Sequence, residues 1–131
     1  MIVLDASAVL ELLLGTSAGL AVVSRIAVTG ATLHAPHLLD LEVTQVLRRY
    51  CASAVLDAER ARLALDDLRA LDVSRYPHEA MLDRIWQLRE NLTAYDAAYV
   101  ALAEALDATL VTFDARLAAA PGHAARVECL G

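Results

Sequence analysis

Short apolar runs alternate along the chain with longer stretches of helical periodicity. Residues 2–4 are wholly apolar, which is typical of a strand buried on both faces of a sheet, and residues 109–112, with Leu110 and Val111 between two threonines, predict another strand. Residues 31–35 and 126–130 predict two further strands, and the polar alternation over 71–76 predicts an edge strand. Strands that alternate with helices favour parallel pairing with helices on both faces. The pattern therefore predicts an α/β fold: a three-layer α/β/α sandwich with a mostly parallel sheet of about five strands.

The stretches between these strands predict helices with recognisable ends. Gly15 is a stop signal for the first helix, Thr16 or Ser17 caps the second, and Pro77 occupies the first turn of a later one. In the third helix, Leu38, Leu41, Val46 and Leu47 are expected to form the buried stripe. The predicted helices cover residues 7–14, 17–29 with Gly30 as the stop, 37–50, 57–70, 77–91, 93–106 and a short segment from 115.

The length of 131 residues suits one domain, and no linker or repeat divides residues 1–131. The longest apolar stretch, residues 8–23, is interrupted by Glu11 and falls short of the roughly 18 residues of a membrane span. No basic segment precedes it, so we expect a cytoplasmic protein without a membrane segment. Cys51 and Cys129 lie far apart among apolar residues, which predicts buried free thiols.

The charge balance excludes several classes of site. The formal net charge is −6, from 17 acidic and 11 basic residues, and none of the bases is lysine. A P-loop and a phospho-receiver pocket both need a lysine, and no G-x-G-x-x-G follows the first strand, so these sites are absent. An acidic chain is also an unusual nucleic-acid binder. Divalent cations held by clustered acids would weaken that objection, because they neutralise part of the charge.

Four acidic residues lie where the predicted fold brings segments together. Asp5 ends the first strand, Asp114 follows the fourth, Asp96 lies in the first turn of an apolar helix, and Glu42 lies inside the helix after the second strand. Ligands bind at the carboxyl ends of strands in open α/β sheets. Each acid also has an ordinary alternative: Asp5 and Asp114 as helix caps, Asp96 in a capping box with Thr93, and Glu42 as a solvent-facing helix residue.

The neighbours of two acids favour a shared site. Asp96 precedes an almost wholly apolar helix, and Glu42 lies between Leu41 and Val43. A carboxylate entering such surroundings is costly unless it is paired or bound to a metal. Oxygen ligands without histidine or cysteine select hard cations such as Mg²⁺ or Mn²⁺. That chemistry suits attack of a metal-activated water on a phosphodiester.

Four segments together resemble the PIN domain, and more narrowly the VapC toxins of bacterial VapBC toxin–antitoxin pairs. They span almost the whole chain in order and spacing, and the segment around Asp96 is the most specific. The matching segments are residues 2–8, Pro36 with 41–43, 92–103 and 110–117.

The resemblance implies a Mg²⁺- or Mn²⁺-dependent endoribonuclease with an RNA substrate, usually a homodimer inhibited by a VapB-type antitoxin that binds near the early helices. By match, the family's metal-binding and catalytic acids are Asp5, Glu42, Asp96 and Asp114. Ser7 and Thr112 match supporting hydroxyls, for which strand-end and helix-cap roles stay open. Gln45 departs from the family's usual asparagine. Candidates for RNA phosphate contacts are Arg48, Arg49, Arg84, Arg89 and Arg116, although solvated helix faces also explain them.

Two alternatives to a toxin nuclease remain within the same fold. The domain could be a non-catalytic binding scaffold, which would be indicated by loss of one or more acids, or a PIN nuclease with a role in RNA processing. A phosphatase with a nucleophilic Asp5 is disfavoured, because Ser7 stands where that chemistry needs a second acid.

Overall fold

The computed structural model describes residues 1–131 and contains five strands and seven α-helices. The strands are β1 (Ile2–Leu4), β2 (Leu33–Pro36), β3 (Val73–Tyr76), β4 (Thr109–Thr112) and β5 (Arg126–Cys129). The helices are α1 (Ala6–Leu14), α2 (Ser17–Ile26), α3 (Leu38–Ala52), α4 (Ala58–Ala70), α5 (Leu82–Gln87), α6 (Ala94–Leu106) and α7 (Ala115–Ala119), with a 3₁₀ turn at Glu79–Met81 before α5.

All five strands are parallel and lie in the order β3-β2-β1-β4-β5. The first strand is therefore the centre of the sheet, and β3 is an edge strand as predicted. Ile2 and Leu4 pack in a core with helices α1 to α4, whereas Val3 faces a second core with α6 and α7. Burial of β1 on both faces explains its uninterrupted apolar sequence. The predicted α/β/α sandwich is confirmed.

The corner between α1 and α2 depends on two glycines. Gly15 ends α1 with φ +64°, a left-handed conformation that costs glycine little. At Gly19, an added Cβ would lie 2.3 Å from the carbonyl oxygen of Glu11, so the two helices touch backbone to backbone. No single helix has the length and apolar character to cross a membrane; only α1 and α2 taken together, bent by 111°, meet both criteria.

Two predicted helices are shorter in the structure. The second helix was expected to reach Thr29 with Gly30 as its stop, but it ends at Ile26, and residues 28–31 form a separate turn in which Gly30 has φ +80°. The helix expected over residues 77–91 is broken into the 3₁₀ turn and α5. After Gln87, backbone hydrogen bonds join residues three positions apart, as in a 3₁₀ helix. One example is the bond from the amide of Asn91 to the carbonyl of Leu88.

Two burial predictions are wrong. Leu41 is 71% exposed, because α3 turns Leu39, Val43 and Leu47 toward the sheet instead. Both cysteines are free, as predicted, but they are only partly buried.

Candidate metal centre at the carboxyl edge of the sheet

Asp5 lies at the centre of the carboxyl edge and is almost fully buried. It caps α1, because its Oδ1 accepts a hydrogen bond from the amide of Ala8 at 3.0 Å. The same oxygen accepts from the hydroxyl of Ser7 at 2.6 Å, and Oδ2 accepts from the hydroxyl of Thr112. A carboxylate oxygen has two lone pairs. Oδ1 is therefore saturated, whereas Oδ2 retains one acceptor position.

The two predicted hydroxyls join β1 to β4. The oxygens of Ser7 and Thr112 lie 3.3 Å apart. Ser7 also accepts from the amide of Phe113 at 2.9 Å, and Thr112 accepts from the amide of Asp114 at 3.0 Å. The structure thus brings both hydroxyls to Asp5, where each also satisfies a backbone donor after β4.

Glu42 reaches the same edge from the second turn of α3. It is half-buried, and its Oε1 accepts a hydrogen bond from the hydroxyl of Tyr99 at 2.6 Å. No hydrogen bond from the chain reaches its Oε2. The alternative of a fully solvent-facing Glu42 is therefore excluded.

Asp96 and Asp114 complete the group on the other side of β4. Asp96 lies in the first turn of α6 with its amide donating to the capping hydroxyl of Thr93 at 3.1 Å. Asp114 caps α7, because its Oδ1 accepts from the amide of Arg116 at 2.9 Å, and no hydrogen bond from the chain reaches its Oδ2. Capping and membership of the cluster are therefore compatible.

The four acids influence one another electrostatically. Burial raises the pKa of Asp5, and the charge of Asp114 adds to that increase. Burial likewise raises the pKa of Glu42, with contributions from Asp96 and Asp5. For Asp96, burial is again the main cause of a raised pKa, followed by the charges of Asp114 and Asp5. Like charges brought together in this way favour a bound cation.

The acids do not yet form a closed coordination shell. No three acidic, histidine or cysteine side chains in the chain are arranged to hold one ion. The donor set nevertheless suits a hard cation, because it consists of carboxylates with Asp5 Oδ2, Glu42 Oε2 and Asp114 Oδ2 left available. The group fits Mg²⁺ or Mn²⁺ in chemistry.

Clefts flank the acids on both sides. The larger cleft, of about 630 Å³, is lined by Ser7, Glu42 and Arg49 together with apolar residues of α1 and α3. The smaller, of about 250 Å³, is lined by Asp96, Asp114 and Arg116 among others. An extended ligand can therefore cross the acids from one cleft to the other.

Comparison with known proteins decides the family. A model of the PIN domain matches residues 2–122. The chain belongs to the PIN-domain family. Ribonuclease VapC1 of Mycobacterium tuberculosis is 51% identical over 92% of this chain and 90% of its own length. Ribonuclease VapC12 of the same species is 42% identical over 98% of both chains.

A solved structure has the same fold. The crystal structure of VapBC2 from Rickettsia felis, bound to a DNA fragment from their promoter, superposes with a TM-score of 0.72 and covers 98% of both chains at 16% identity. This likeness extends the PIN architecture to the whole chain.

The arginines of this PIN domain fall into two groups. Arg116 is 96% exposed and lies 3.8 Å from Asp114, and Arg49 lines the larger cleft. Arg84 is instead engaged by Glu104, with two bonds of 2.8 and 2.9 Å. Arg89 lies 4.5 Å from the centre of the Trp86 ring. Arg48 is exposed on α3 and does not line either cleft. Of the five predicted arginines, only Arg49 and Arg116 line the two clefts that the acids share.

One residue of the PIN site was missed from sequence. Tyr99 had been assigned only to the apolar helix after Asp96, and its hydroxyl contact with Glu42 was not expected. A signal was available: Tyr99 follows Asp96 by three positions, so the two share a helix face.

Proposed function

We propose that the chain is a divalent-metal-dependent endoribonuclease that acts as the toxin of a VapBC-type pair. The observation that carries this proposal is the arrival of Asp5, Glu42, Asp96 and Asp114 from four separate segments at one edge of the sheet. There, burial and the charges of neighbouring acids raise the pKa values of Asp5, Glu42 and Asp96. The identity to VapC1 and VapC12, both named ribonucleases, supports RNA as the substrate.

The same four acids would hold Mg²⁺ or Mn²⁺ through their available oxygens. When bound, the metal supplies a water of lowered pKa and neutralises charge that develops on the phosphate. Ser7 and Thr112 orient Asp5, and the hydrogen bonds they donate lower the pKa of its carboxyl, which opposes the increase caused by burial. Arg49 and Arg116 approach from opposite clefts and are placed to contact RNA phosphates on either side of the acids.

Partners follow from the same proposal. We infer a VapB-type antitoxin, supported by the relatives' names and by the match to VapBC2. The large cleft between α1 and α3 is lined by Leu10, Leu41 and Val46, and suits an apolar segment of that antitoxin. Copurification with the product of a neighbouring short reading frame tests this inference.

We further propose that residues 1–131 form a single domain and that the protein is a homodimer. Light scattering on the purified chain tests the oligomeric state.

The decisive experiment compares Asp96→Asn with the wild-type protein. We expect the variant to lose about a hundredfold or more of its metal-dependent RNA cleavage, because a charged oxygen at the acid cluster is removed. Its melting temperature without metal should not fall, since burial and neighbouring acids already disfavour the charge of Asp96. Cleavage is measured on total RNA with Mn²⁺ and with EDTA, and the cut ends are mapped.

Asp66→Asn is the matched control. Asp66 is an exposed acid of α4 that pairs only with Arg62 and Arg69, so its substitution should leave cleavage unchanged. Full activity of Asp96→Asn, or wild-type cleavage that persists in EDTA, would refute the metal-dependent mechanism. A wild-type chain that neither cleaves RNA nor binds metal would favour the scaffold alternative.

A further inference from the structure

We propose that Tyr99 is a positioning residue that sets the orientation of Glu42 and thereby the metal affinity of the acid cluster. The inference rests on the proposed function, because it assigns Tyr99 a role toward the metal that Glu42 would bind. It adds a fifth residue to the site, one that would act through Glu42 without contacting the metal.

The contact is direct and well supported by packing. The side chain of Tyr99 is 1% exposed and lies in the core that α6 shares with Val3 and Leu110 of the sheet. Because the ring is held on all sides, its hydroxyl has a fixed position. That hydroxyl donates to Glu42 Oε1 at 2.6 Å, a length typical of a bond to a carboxylate.

The bond joins two layers of the sandwich. The buried residues of α3 pack on one face of the sheet, whereas Tyr99 packs on the other. The hydroxyl therefore meets Glu42 at the carboxyl edge of the sheet, where the two layers come together. Asp96 lies one helical turn before Tyr99 on α6. The Tyr99 bond thus fixes the position of Glu42 relative to the helix that carries Asp96.

The bond also has a fixed direction. A tyrosine hydroxyl carries its proton at physiological pH, and the acceptor within reach of this one is Oε1 of Glu42. The hydroxyl therefore remains protonated and donates to Glu42 at every physiological pH. This donor takes one acceptor position of Oε1, whereas both positions of Oε2 stay available to a cation.

The consequence is measurable in metal binding. Without the hydroxyl, Glu42 can rotate toward solvent, and part of the metal-binding energy is used to restrain it. Loss of an outer contact that orients a ligand typically weakens metal affinity about 10- to 100-fold. Because Glu42 is only half-buried, we expect the lower end of that range, about tenfold, for Tyr99→Phe.

The experiment is a calorimetric titration of Mn²⁺ into the wild-type protein and into Tyr99→Phe. Phenylalanine keeps the ring and removes only the hydroxyl, so the core packing is retained. Tyr76→Phe is the matched control, because it removes another hydroxyl, 2.7 Å from Nδ1 of His34, away from the acids. We expect weaker Mn²⁺ binding in Tyr99→Phe alone, and RNA cleavage that partly recovers at saturating Mn²⁺.

A double-mutant cycle tests whether Tyr99 acts through Glu42. Glu42→Asp keeps a carboxylate but shortens it by one methylene, which withdraws it from the Tyr99 hydroxyl. In that background, Tyr99→Phe should change Mn²⁺ affinity less than about twofold, since the contact is already lost. If Tyr99→Phe instead weakens Mn²⁺ affinity tenfold in the Glu42→Asp background as well, Tyr99 acts independently of Glu42.

The outcomes separate this inference from the proposed function. If the wild-type protein binds Mn²⁺ and cleaves RNA while Tyr99→Phe binds Mn²⁺ as tightly as wild type, the role of Tyr99 is refuted and the nuclease assignment stands. If the wild-type protein neither binds Mn²⁺ nor cleaves RNA, both proposals are overturned.

Discussion

Thr112→Val isolates the hydroxyl that supports the buried carboxylate of Asp5. Valine keeps the shape of the fully buried side chain and removes one oxygen. That oxygen donates to Asp5 Oδ2 and accepts from the amide of Asp114. The substitution therefore withdraws a donor from a buried carboxylate and an acceptor from a backbone amide without opening a large cavity.

The expected loss of stability follows from these two contacts. A hydrogen bond to a charged group contributes about 1.5–3 kcal/mol. The amide of Asp114 is partly accessible to water, so its lost acceptor costs about 1 kcal/mol, at the low end for an unpaired donor. Together, these losses should lower the free energy of unfolding by about 2.5–4 kcal/mol. Thr109→Val, at the other end of β4, removes a hydroxyl that makes no hydrogen bond and should cost about 0.5 kcal/mol or less.

The loss should depend on pH in a definite direction. Burial raises the folded-state pKa of Asp5 above 3.8, so its carboxylate costs stability at neutral pH, and that cost disappears as pH falls through the folded-state pKa. Removing the Thr112 donor raises this pKa further. The difference between Thr112→Val and wild type should therefore be largest at neutral pH and smaller below the folded-state pKa of Asp5, where the carboxyl is protonated in both proteins.

Urea unfolding in the presence of EDTA, followed by circular dichroism at neutral and at acidic pH, measures these differences in the free energy of unfolding. A Thr112→Val loss no greater than that of Thr109→Val would refute the supporting role of the hydroxyl. A loss that is the same at neutral and acidic pH would show that Asp5 is not the group it supports.

Two further predictions concern packing and substrate contact. Gly19→Ala should lower the free energy of unfolding by about 1–3 kcal/mol in urea, because the new methyl group meets the backbone of Glu11, whereas Ser24→Ala on the exposed face of α2 should be neutral. Arg116→Ala should raise KM for RNA several-fold and reduce the salt dependence of RNA binding by about one counterion. Arg62→Ala should change neither quantity. An unchanged salt dependence in Arg116→Ala would exclude a phosphate contact at this residue.

The architecture was predictable because the apolar runs and caps agree with one another. The apolar sequence of β1 predicted burial on both faces, and the Thr93 cap with the apolar run after it defined α6. The helix α3 shows where such reasoning stops. Its sequence offers two overlapping apolar faces, and only packing against the sheet determines that Leu39 is buried and Leu41 exposed.

The candidate site was predictable to a similar extent. Strand-end positions and apolar neighbours were enough to favour one edge of the sheet for the four acids, and the effect of their charges on the pKa values of Asp5, Glu42 and Asp96 agrees with this. The metal site itself stays a prediction. The same features were not enough to identify Tyr99, because the buried face of an apolar helix does not reveal which hydroxyl finds a partner on another helix. The arginines were harder still, since the engagement of Arg84 by Glu104 depends on how α5 packs against α6.

The central position of β1 determines when the site can form during synthesis. The strand made first pairs with β4, and the Thr112 hydroxyl that supports Asp5 comes from a residue 107 positions later. Contacts of such sequence separation form late in folding. Until residues 109–114 have emerged from the ribosome, Asp5 therefore cannot contact Thr112 and Asp114 cannot join the other acids. An acid cluster that needs Thr112 and Asp114 can therefore assemble only when nearly the whole chain has been synthesised.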